Sequence, residues 1–324
     1  MLFRSTLGVL CYVGGSRLTL VVNRGDLWDD APFGTFSCAD PTEEERHTTL
    51  RHGGRIVIDF KVPIFDVIYL SDFSARLSLA DARIELAATG PFGGVRLDAF
   101  VSYHHDILFA RVERTPADPA VPVEVGLERF GSRSYHRWYA QVNPDAGLGL
   151  AGTSSVAEGS TGYLVHELTS GRFAFGLRLA PAEGDGPTFA TEGRNRVTCS
   201  LDATQARSFG LLCSLTEPIA SDDPTSPDPV TLASRRLDAA RAQGEAAVLD
   251  AHAGAWKSFW QRSLMECGDD YLDNLWHLVM YYSACSQRGR YPGRFCGYLW
   301  NWQHDFQAWG MDFHFNQHHV YWPR

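Results

Sequence analysis

The chain has 324 residues, of which 44% are hydrophobic and 21% charged, and its formal net charge at pH 7 is −9. The composition is typical of a globular protein, and the acidic balance argues against a nucleic-acid partner, because it offers no basic patch to release phosphate counterions. No apolar run reaches the roughly 20 residues that a membrane-spanning helix needs, so we expect no membrane partner.

Cysteine usage gives a weak indication of the compartment. The seven cysteines are irregularly spaced and contain no Cys-x-x-Cys pair, so the sequence indicates neither a structural zinc site nor a disulfide framework. We expect most of them to be small buried apolar residues, a use that favours a reducing compartment. No signal peptide is visible. The sequence does not determine the compartment, and a periplasmic or secreted location is among the alternatives.

The first two thirds of the chain have the patterns of β-strands. Residues 6–23 predict a hairpin around Gly14 and Gly15, and a polar loop is expected from Trp28 to Glu45. Turn signals then recur without any strong helical period. Further strands are predicted at residues 55–61, 75–79, 84–88, 95–103, 107–114, 123–127, 162–166, 172–179, 196–201 and 208–215. Many strands without helices predict a wide, supersandwich-like antiparallel β-sandwich over residues 1–216.

The pattern changes from β to α at about residue 230. Residues 221–229 are all polar or proline, which is typical of a linker, and helix-forming residues follow. Gly244 is expected to separate two helices. One face of the second carries residues at helical spacing, namely Leu249, His252, Trp256 and Trp260. We therefore predict a multidomain β-then-α chain, with a linker and linker helices over residues 217–266.

A further helix is predicted from Asp269 or Asp270, either of which can cap it, to a C-cap at Gly289. Its apolar stripe consists of Leu272, Leu275, Trp276, Val279 and Met280.

The segment at residues 290–324 interleaves aromatic rings with short polar side chains, without a helical or strand period. That composition is typical of a concave site that stacks on a flat, hydroxyl-rich ligand such as a sugar and hydrogen-bonds its rim. Trp300, Trp309 and Trp322 are the candidates for stacking on a sugar face. The alternative is an aromatic core segment beside a polar loop.

Several sequence pieces occur in a characteristic order. They are His-Ala-Gly-Ala-Trp-Lys-Ser-Phe-Trp at 252–260, Tyr-Tyr-Ser-Ala-Cys-Ser-Gln-Arg-Gly-Arg-Tyr-Pro at 281–292, Gly-Tyr-Leu-Trp-Asn at 297–301 and Phe-Asn-Gln-His-His-Val-Tyr-Trp-Pro at 315–323. In these pieces the chain resembles the bacterial six-hairpin glycosidases, in particular relatives of glycoside hydrolase family 95, the α-L-fucosidase group. The opening at 7–29 is similar to the start of their sandwich domain. The resemblance implies that residues 267–324 begin an (α/α)6 barrel behind the β-sandwich.

The resemblance also implies roles for individual residues. In the fucosidases an Asn-x-Asn pair just before Tyr-Trp-Pro helps to position the attacking water. Asn316 matches the second Asn, and His314 stands at the position of the first. Histidine in place of this asparagine argues against fucose specificity. It does not argue against the role in positioning water, because histidine can also hydrogen-bond a water. Asn301 is a candidate substrate-binding residue in the Gly-Tyr-Leu-Trp-Asn piece.

Glycoside hydrolysis needs an acid and a base, and in inverting enzymes the two carboxyl groups lie roughly 6.5–9.5 Å apart. Asp305 and Asp312 are the visible candidates, and either is alternatively a loop or capping carboxylate. The resemblance places the two catalytic carboxylates further along the barrel than Arg324. We therefore expect this chain to be a fragment with little or no activity by itself.

Metal and cofactor signals are weak. His314 and His318 have helical spacing, but Phe315 stands where the zinc motif needs a glutamate, so no metal is expected. His104 and His105 fall in a strand pattern and predict an exposed pair. No phosphate-loop or dinucleotide glycine pattern occurs, and no cofactor is expected.

The resemblance thus implies an enzyme that hydrolyses glycosidic bonds of oligo- or polysaccharides with inversion, with a carbohydrate substrate as its partner. A sugar phosphorylase of the same architecture is the first alternative. A non-catalytic carbohydrate-binding protein is the second.

Overall fold

The computed structural model describes residues 2–3, 6–31, 47–129, 152–168, 171–181, 186–220 and 225–286. The strands of these residues are β1 (Leu2–Phe3), β2 (Leu7–Gly14), β3 (Arg17–Arg24), β4 (Trp28–Ala31), β5 (His47–Leu50), β6 (Gly54–Asp59), β7 (Asp72–Ser78), β8 (Arg83–Gly90), β9 (Gly93–Val101), β10 (Ile107–Pro116), β11 (Val123–Glu128), β12 (Thr153–Glu158), β13 (Thr161–Glu167), β14 (Gly171–Pro181), β15 (Ala190–Thr191), β16 (Arg196–Leu201), β17 (Ser208–Leu215) and β18 (Ile219–Ala220). A 3-10 turn spans Gln205–Arg207, and the helices are α1 (Pro229–Gln243), α2 (Glu245–Trp260) and α3 (Asp270–Ser286).

Most of the strands form two antiparallel sheets. In the described residues the first sheet has the order β1-β2-β3-β6-β11-β16-β15, and the second has the order β12-β13-β14-β17-β10-β9-β8-β7, with β18 paired to β14. β4 and β5 form a separate two-stranded ribbon. Antiparallel sheets followed by three helices confirm the coarse prediction of a β-rich part before a helical part. The domain boundaries and the barrel stay predictions.

The main hydrophobic core lies between the two sheets. Leu20 and Ile58 contribute to it from the first sheet, and Leu108 and Leu177 contribute from the second; all four are 0% exposed. Every second residue of a strand points to the same face of its sheet, so each sheet sends one set of apolar side chains into this layer. The arrangement is that of a β-sandwich.

The second sheet is also covered on its outer face. Phe100 of β9 and Phe109 of β10 stack with ring centroids 5.1 Å apart, and they pack in one cluster with Leu237 of α1 and Val248 of α2. Because both faces of β10 are buried, its first four residues read as a continuous apolar run rather than an alternating one. Helices α1 and α2 therefore lie against this sheet.

The predicted hairpin is present with its turn displaced by one residue. β2 pairs with β3 so that Gly14 faces Arg17, and the turn residues are Gly15 and Ser16. The expected polar loop after Trp28 is wrong at its start, because β4 occupies that position. Strand β12 was not predicted either. It lies at the edge of the second sheet, and most of its side chains are at least partly exposed, so its sequence carries no apolar alternation.

Helices α1 and α2 begin and end at local sequence signals, of which Gly244 was predicted and the cap of α1 was not. Asp228 caps α1 by accepting hydrogen bonds from the backbone N–H groups of Val230 at 3.0 Å and Thr231 at 3.2 Å, and Pro229 follows it. Gly244 separates the two helices and has φ +83°, a conformation that side-chain-bearing residues rarely adopt. None of the described helices combines the length and apolar composition needed to cross a bilayer.

Replacing Asp228 with alanine is expected to lower the free energy of unfolding by about 1 kcal/mol, because two backbone donors lose their side-chain acceptor. Asp228 also lies 3.4 Å from Arg172. Asp228→Asn is the matched control, since asparagine caps comparably but removes this ion pair. Urea unfolding of the three proteins would measure both effects. Equal losses for the two variants would contradict the capping explanation.

Helix α3 packs with a face other than the predicted one. Asp269 is its cap, accepting from the N–H groups of Tyr271 and Leu272. The predicted stripe is partly exposed: Leu272 is 46% and Leu275 43% exposed. The buried residues of α3 are Tyr281, Ala284 and Cys285, which lie on the opposite side of the helix. Hydrophobicity alone identified an apolar face but could not determine which face contacts the rest of the described chain.

Candidate functional site

The predicted catalytic and sugar-binding residues lie outside the described residues. They are Trp300, Asn301, Asp305, Trp309, Asp312, His314, Asn316 and Trp322. Gly289, the predicted C-cap, also lies outside them. The roles of these residues therefore stay predictions.

A cleft lies where the second sheet meets helix α1, and it has a volume of about 220 Å³. One wall comes from the segment between β9 and β10 and the start of β10, and the other wall comes from α1. The lining residues are His104, His105, Asp106, Ile107, Arg236, Ala239, Ala240 and Gln243. Volumes of roughly 300–1,000 Å³ are usual for pockets that hold drug-sized ligands. The cleft is thus suited to a single small molecule.

A buried ion network adjoins this cleft through Asp106 and Arg236, which both line it. Arg24 at the end of β3 is only 4% exposed, and it binds Asp26 at 2.6 Å and Asp106 at 2.9 Å. Its Nη1 also donates to the backbone carbonyl of Leu215. A buried arginine is tolerated only when it is paired, and here several acceptors surround it. Asp106 therefore has its position in the cleft wall determined by the sandwich.

The network continues into helix α1 through Glu217. Its carboxylate lies 3.5 Å from Arg24 and accepts two hydrogen bonds from Nη2 of Arg236, at 2.8 and 2.7 Å. The second oxygen of Asp106 accepts from the hydroxyl of Thr6 at 2.5 Å. The network thus ties α1 to strands of both sheets, and the carboxylates of Asp106 and Glu217 are already engaged.

Burial and pairing shift the pKa values of the network in opposite directions. Burial would lower the pKa of Arg24, but the carboxylates of Asp26 and Asp106 outweigh it and raise that pKa. Burial raises the pKa of Asp26, exceeding the opposite effect of Arg24. For Glu217, burial would raise the pKa, but hydrogen bonding by its own backbone N–H and the charges of Arg236 and Arg24 lower it. Arg24 thus remains charged beside carboxylates of unequal acidity.

The exposed histidine pair is present, but it does not lie in a strand. His104 and His105 occupy bends between β9 and β10, and the backbone N–H of His105 donates to Ser102 Oγ at 3.2 Å. The prediction of a strand here was wrong, because the chain reverses between two paired strands. In the described ranges no three His, Cys, Asp or Glu side chains group closely enough to hold a metal ion.

A cluster of rings joins the sandwich to the helices. Trp256 of α2 is 1% exposed, and its ring lies 6.0 Å from that of Tyr103 and 5.3 Å from that of Tyr281 in α3. The indole N–H of Trp260 donates to the carbonyl of Leu79 at 2.9 Å. The predicted aromatic face of α2 is thus buried as a structural junction.

The sequence predictions missed the cleft. On α1 the spacing of Arg236, Ala239, Ala240 and Gln243 is visible as one helical face. The opposite wall is not visible in the sequence. Asp106 in that wall is held by Arg24, which is 82 residues away in the chain, and no local motif connects the two. Only the folded sheets bring them together.

Comparisons of sequence identify no relative. No protein-family model matches the chain, and no curated protein sequence matches it. The evidence on relationship therefore comes from structure alone.

A solved structure does share its fold. A protein from the human microbiome, provisionally named a kojibiose phosphorylase, superposes with a TM-score of 0.62 at 12% identity, over 92% of this chain and 41% of that protein. A bacterial glucoamylase solved with acarbose gives a TM-score of 0.43 at 9% identity, over 87% of this chain and 44% of the glucoamylase. A TM-score this low does not support an inference. This chain spans well under two thirds of the microbiome protein, and the likeness establishes a common fold.

Proposed function

We propose that this chain supplies the β-sandwich and the first helices of an enzyme that cleaves glycosidic bonds. The observation that carries the proposal is the likeness of fold to the microbiome protein over 92% of this chain, sandwich and helices included. At 12% identity that likeness concerns the fold only. The link to glycosidic bonds comes from the sequence pieces at residues 252–323, which resemble the six-hairpin glycosidases.

Two reactions fit this proposal. In hydrolysis with inversion, one carboxylic acid protonates the leaving oxygen while a second carboxylate activates water on the opposite face of the sugar. The resemblance to family 95 favours this reaction. In phosphorolysis, inorganic phosphate replaces the water as the attacking group. The name of the microbiome protein favours that alternative.

The residues after the described part would form the sugar site. Asn316 and His314 would hold the attacking water or phosphate oxygen by hydrogen bonds. Trp300, Trp309 and Trp322 would cover apolar faces of the sugar, and Asn301 and Asp305 would bind its hydroxyls. The described helices would serve as the base of this site, since Trp256 anchors α2 and α3 to the sandwich.

Assays of the natural gene product that contains this chain would test the proposal. Aryl glycosides and α-linked disaccharides are incubated with and without inorganic phosphate, and the released sugar and sugar phosphate are quantified. Release independent of phosphate indicates the hydrolase, whereas sugar phosphate formed only with phosphate indicates the phosphorylase. Sugar binding without any turnover would refute the proposal in favour of a carbohydrate-binding protein.

Asn316→Ala in the same product is expected to reduce kcat by tenfold or more with a smaller effect on KM, because it removes a group that orients the attacking molecule. Asn195→Ala, in the sandwich, serves as the matched control. An unchanged kcat for Asn316→Ala would remove the residue from the proposed site.

A further inference from the structure

The small side chains of α1 create the cleft described above. Arg236, Ala239, Ala240 and Gln243 recur at helical spacing, so they share one side of the helix. The two alanines leave space between a guanidinium and a carboxamide that are separated by about 10 Å along the helix, at roughly 1.5 Å per residue. Ala239 is exposed, whereas Ala240 belongs to the core beneath. A larger residue at 239 would therefore occupy the cleft without disturbing the core.

The ion network that adjoins the cleft disfavours binding of an anion or of a cation. Two guanidinium groups and three carboxylates leave the network with an excess of one negative charge when all are ionised, which repels an anion. The carboxylates of Asp106 and Glu217 are poorly placed to bind a cation, because they already accept hydrogen bonds. Asp106 accepts from Thr6 and Arg24, and Glu217 accepts from Arg236. A neutral ligand avoids both problems.

The remaining polar groups can recognise hydroxyls. Gln243 presents both a donor and an acceptor, and each imidazole of His104 and His105 does the same when neutral. Nη1 of Arg236 is buried and has no hydrogen-bond partner in the part of the chain that the structure describes. Nη2 of the same guanidinium is held by Glu217, so Arg236 has a fixed position in the cleft lining.

We propose that this cleft binds one neutral monosaccharide unit. The inference rests on the proposed function for the choice of sugar among neutral polyhydroxylated molecules. The volume of about 220 Å³ limits the ligand to a single ring, either free or at the end of an oligosaccharide.

Saturation-transfer NMR on the 324-residue chain would test the site. The probes are glucose, galactose, fucose and inorganic phosphate, each added alone. Saturation transfer to the sugars is detected in ¹H spectra, and binding of phosphate is detected as broadening of its ³¹P line. We expect transfer to at least one of the sugars. Ala239→Phe, which fills the cleft, should weaken that binding at least tenfold. Ala242→Phe is the matched control, because Ala242 is exposed on the same helix but does not line the cleft, and it should change binding less than twofold.

A second variant, Gln243→Ala, leaves the cleft open and removes the carboxamide together with one methylene, so it should weaken binding severalfold without affecting the fold. No transfer to any sugar, equal effects of the two phenylalanine variants, or binding of phosphate alone would overturn the inference. Turnover by the natural gene product separates this outcome from the previous proposal. Turnover without sugar binding at the cleft would refute the cleft but leave the enzyme. Sugar binding at the cleft in a product without turnover would refute the enzyme but support the cleft.

Discussion

Replacing Trp256 with alanine is expected to lower the free energy of unfolding by about 3–5 kcal/mol, the range for truncating a buried aromatic side chain. The indole is 1% exposed and contacts three structural units. Its ring lies 5.6 Å from that of Phe259 in its own helix, 5.3 Å from Tyr281 in α3 and 6.0 Å from Tyr103 at the end of β9. Its loss leaves a cavity at the point where the helices meet the sandwich. Since whole domains are stable by roughly 5–15 kcal/mol, this is a large share.

Urea unfolding followed by circular dichroism would measure the change. Trp276→Ala is the matched control, because Trp276 lies on α3 and is only half-buried, and its truncation should cost clearly less. Hydrogen exchange adds a positional test, since the amides of α3 should lose protection more than those of β10. Equal losses of stability for the two tryptophan variants would show that Trp256 does not hold this junction together.

Below pH 6.5 the protein is expected to lose stability through His252. This imidazole is 0% exposed, and its Nε2 donates to the backbone carbonyl of Asp81 at 2.7 Å. The ring of Phe100 lies 5.0 Å away. Burial lowers the pKa of His252 from 6.5 to about 4, although the carbonyl of Asp81 acts in the opposite direction. The histidine is therefore neutral in the folded protein at pH 7.

The direction of the pH effect follows from proton binding. Between pH 6.5 and 4 the unfolded chain protonates this histidine and the folded protein does not, so acid favours unfolding. The stabilising contribution is fully present above pH 6.5 and is lost as the pH falls to about 4. A depression from 6.5 to about 4 corresponds to roughly 3 kcal/mol, at about 1.4 kcal/mol per pKa unit.

His252→Gln would isolate this contribution. Glutamine can still donate to the carbonyl of Asp81 but does not titrate, so the stability gap between wild type and variant should narrow by roughly 3 kcal/mol from pH 7 to pH 4. His105→Gln is the control, because His105 is exposed and its replacement should leave the pH profile unchanged. Urea unfolding at half-unit pH steps would supply the comparison. Parallel pH profiles for wild type and His252→Gln would rule out this titration as a source of acid sensitivity.

Local patterns predicted much of the described secondary structure. The paired glycines before Ser16 identified the first hairpin, and Gly244 identified the boundary between α1 and α2, because glycine accommodates backbone conformations that other residues avoid. Strands such as β10 were predicted from their apolar residues. The exposed edge strand β12 was missed, since a strand that buries few side chains has no such content. The candidate sugar-binding residues after Ser286 rest on sequence alone.

The amino-acid sequence by itself determined the order of β and α segments, the N-cap of α3 as Asp269 or Asp270 and the aromatic face of α2, because these depend on residues within a few positions of one another. Only the tertiary structure decided which face of α3 is buried and where the cleft lies. Those features require Tyr281 to meet Trp256, and Arg24 to meet Asp106 and Glu217. Contacts between residues so distant in the chain form only when the sheets have packed, and a buried arginine is stable only beside the carboxylates that this packing brings to it.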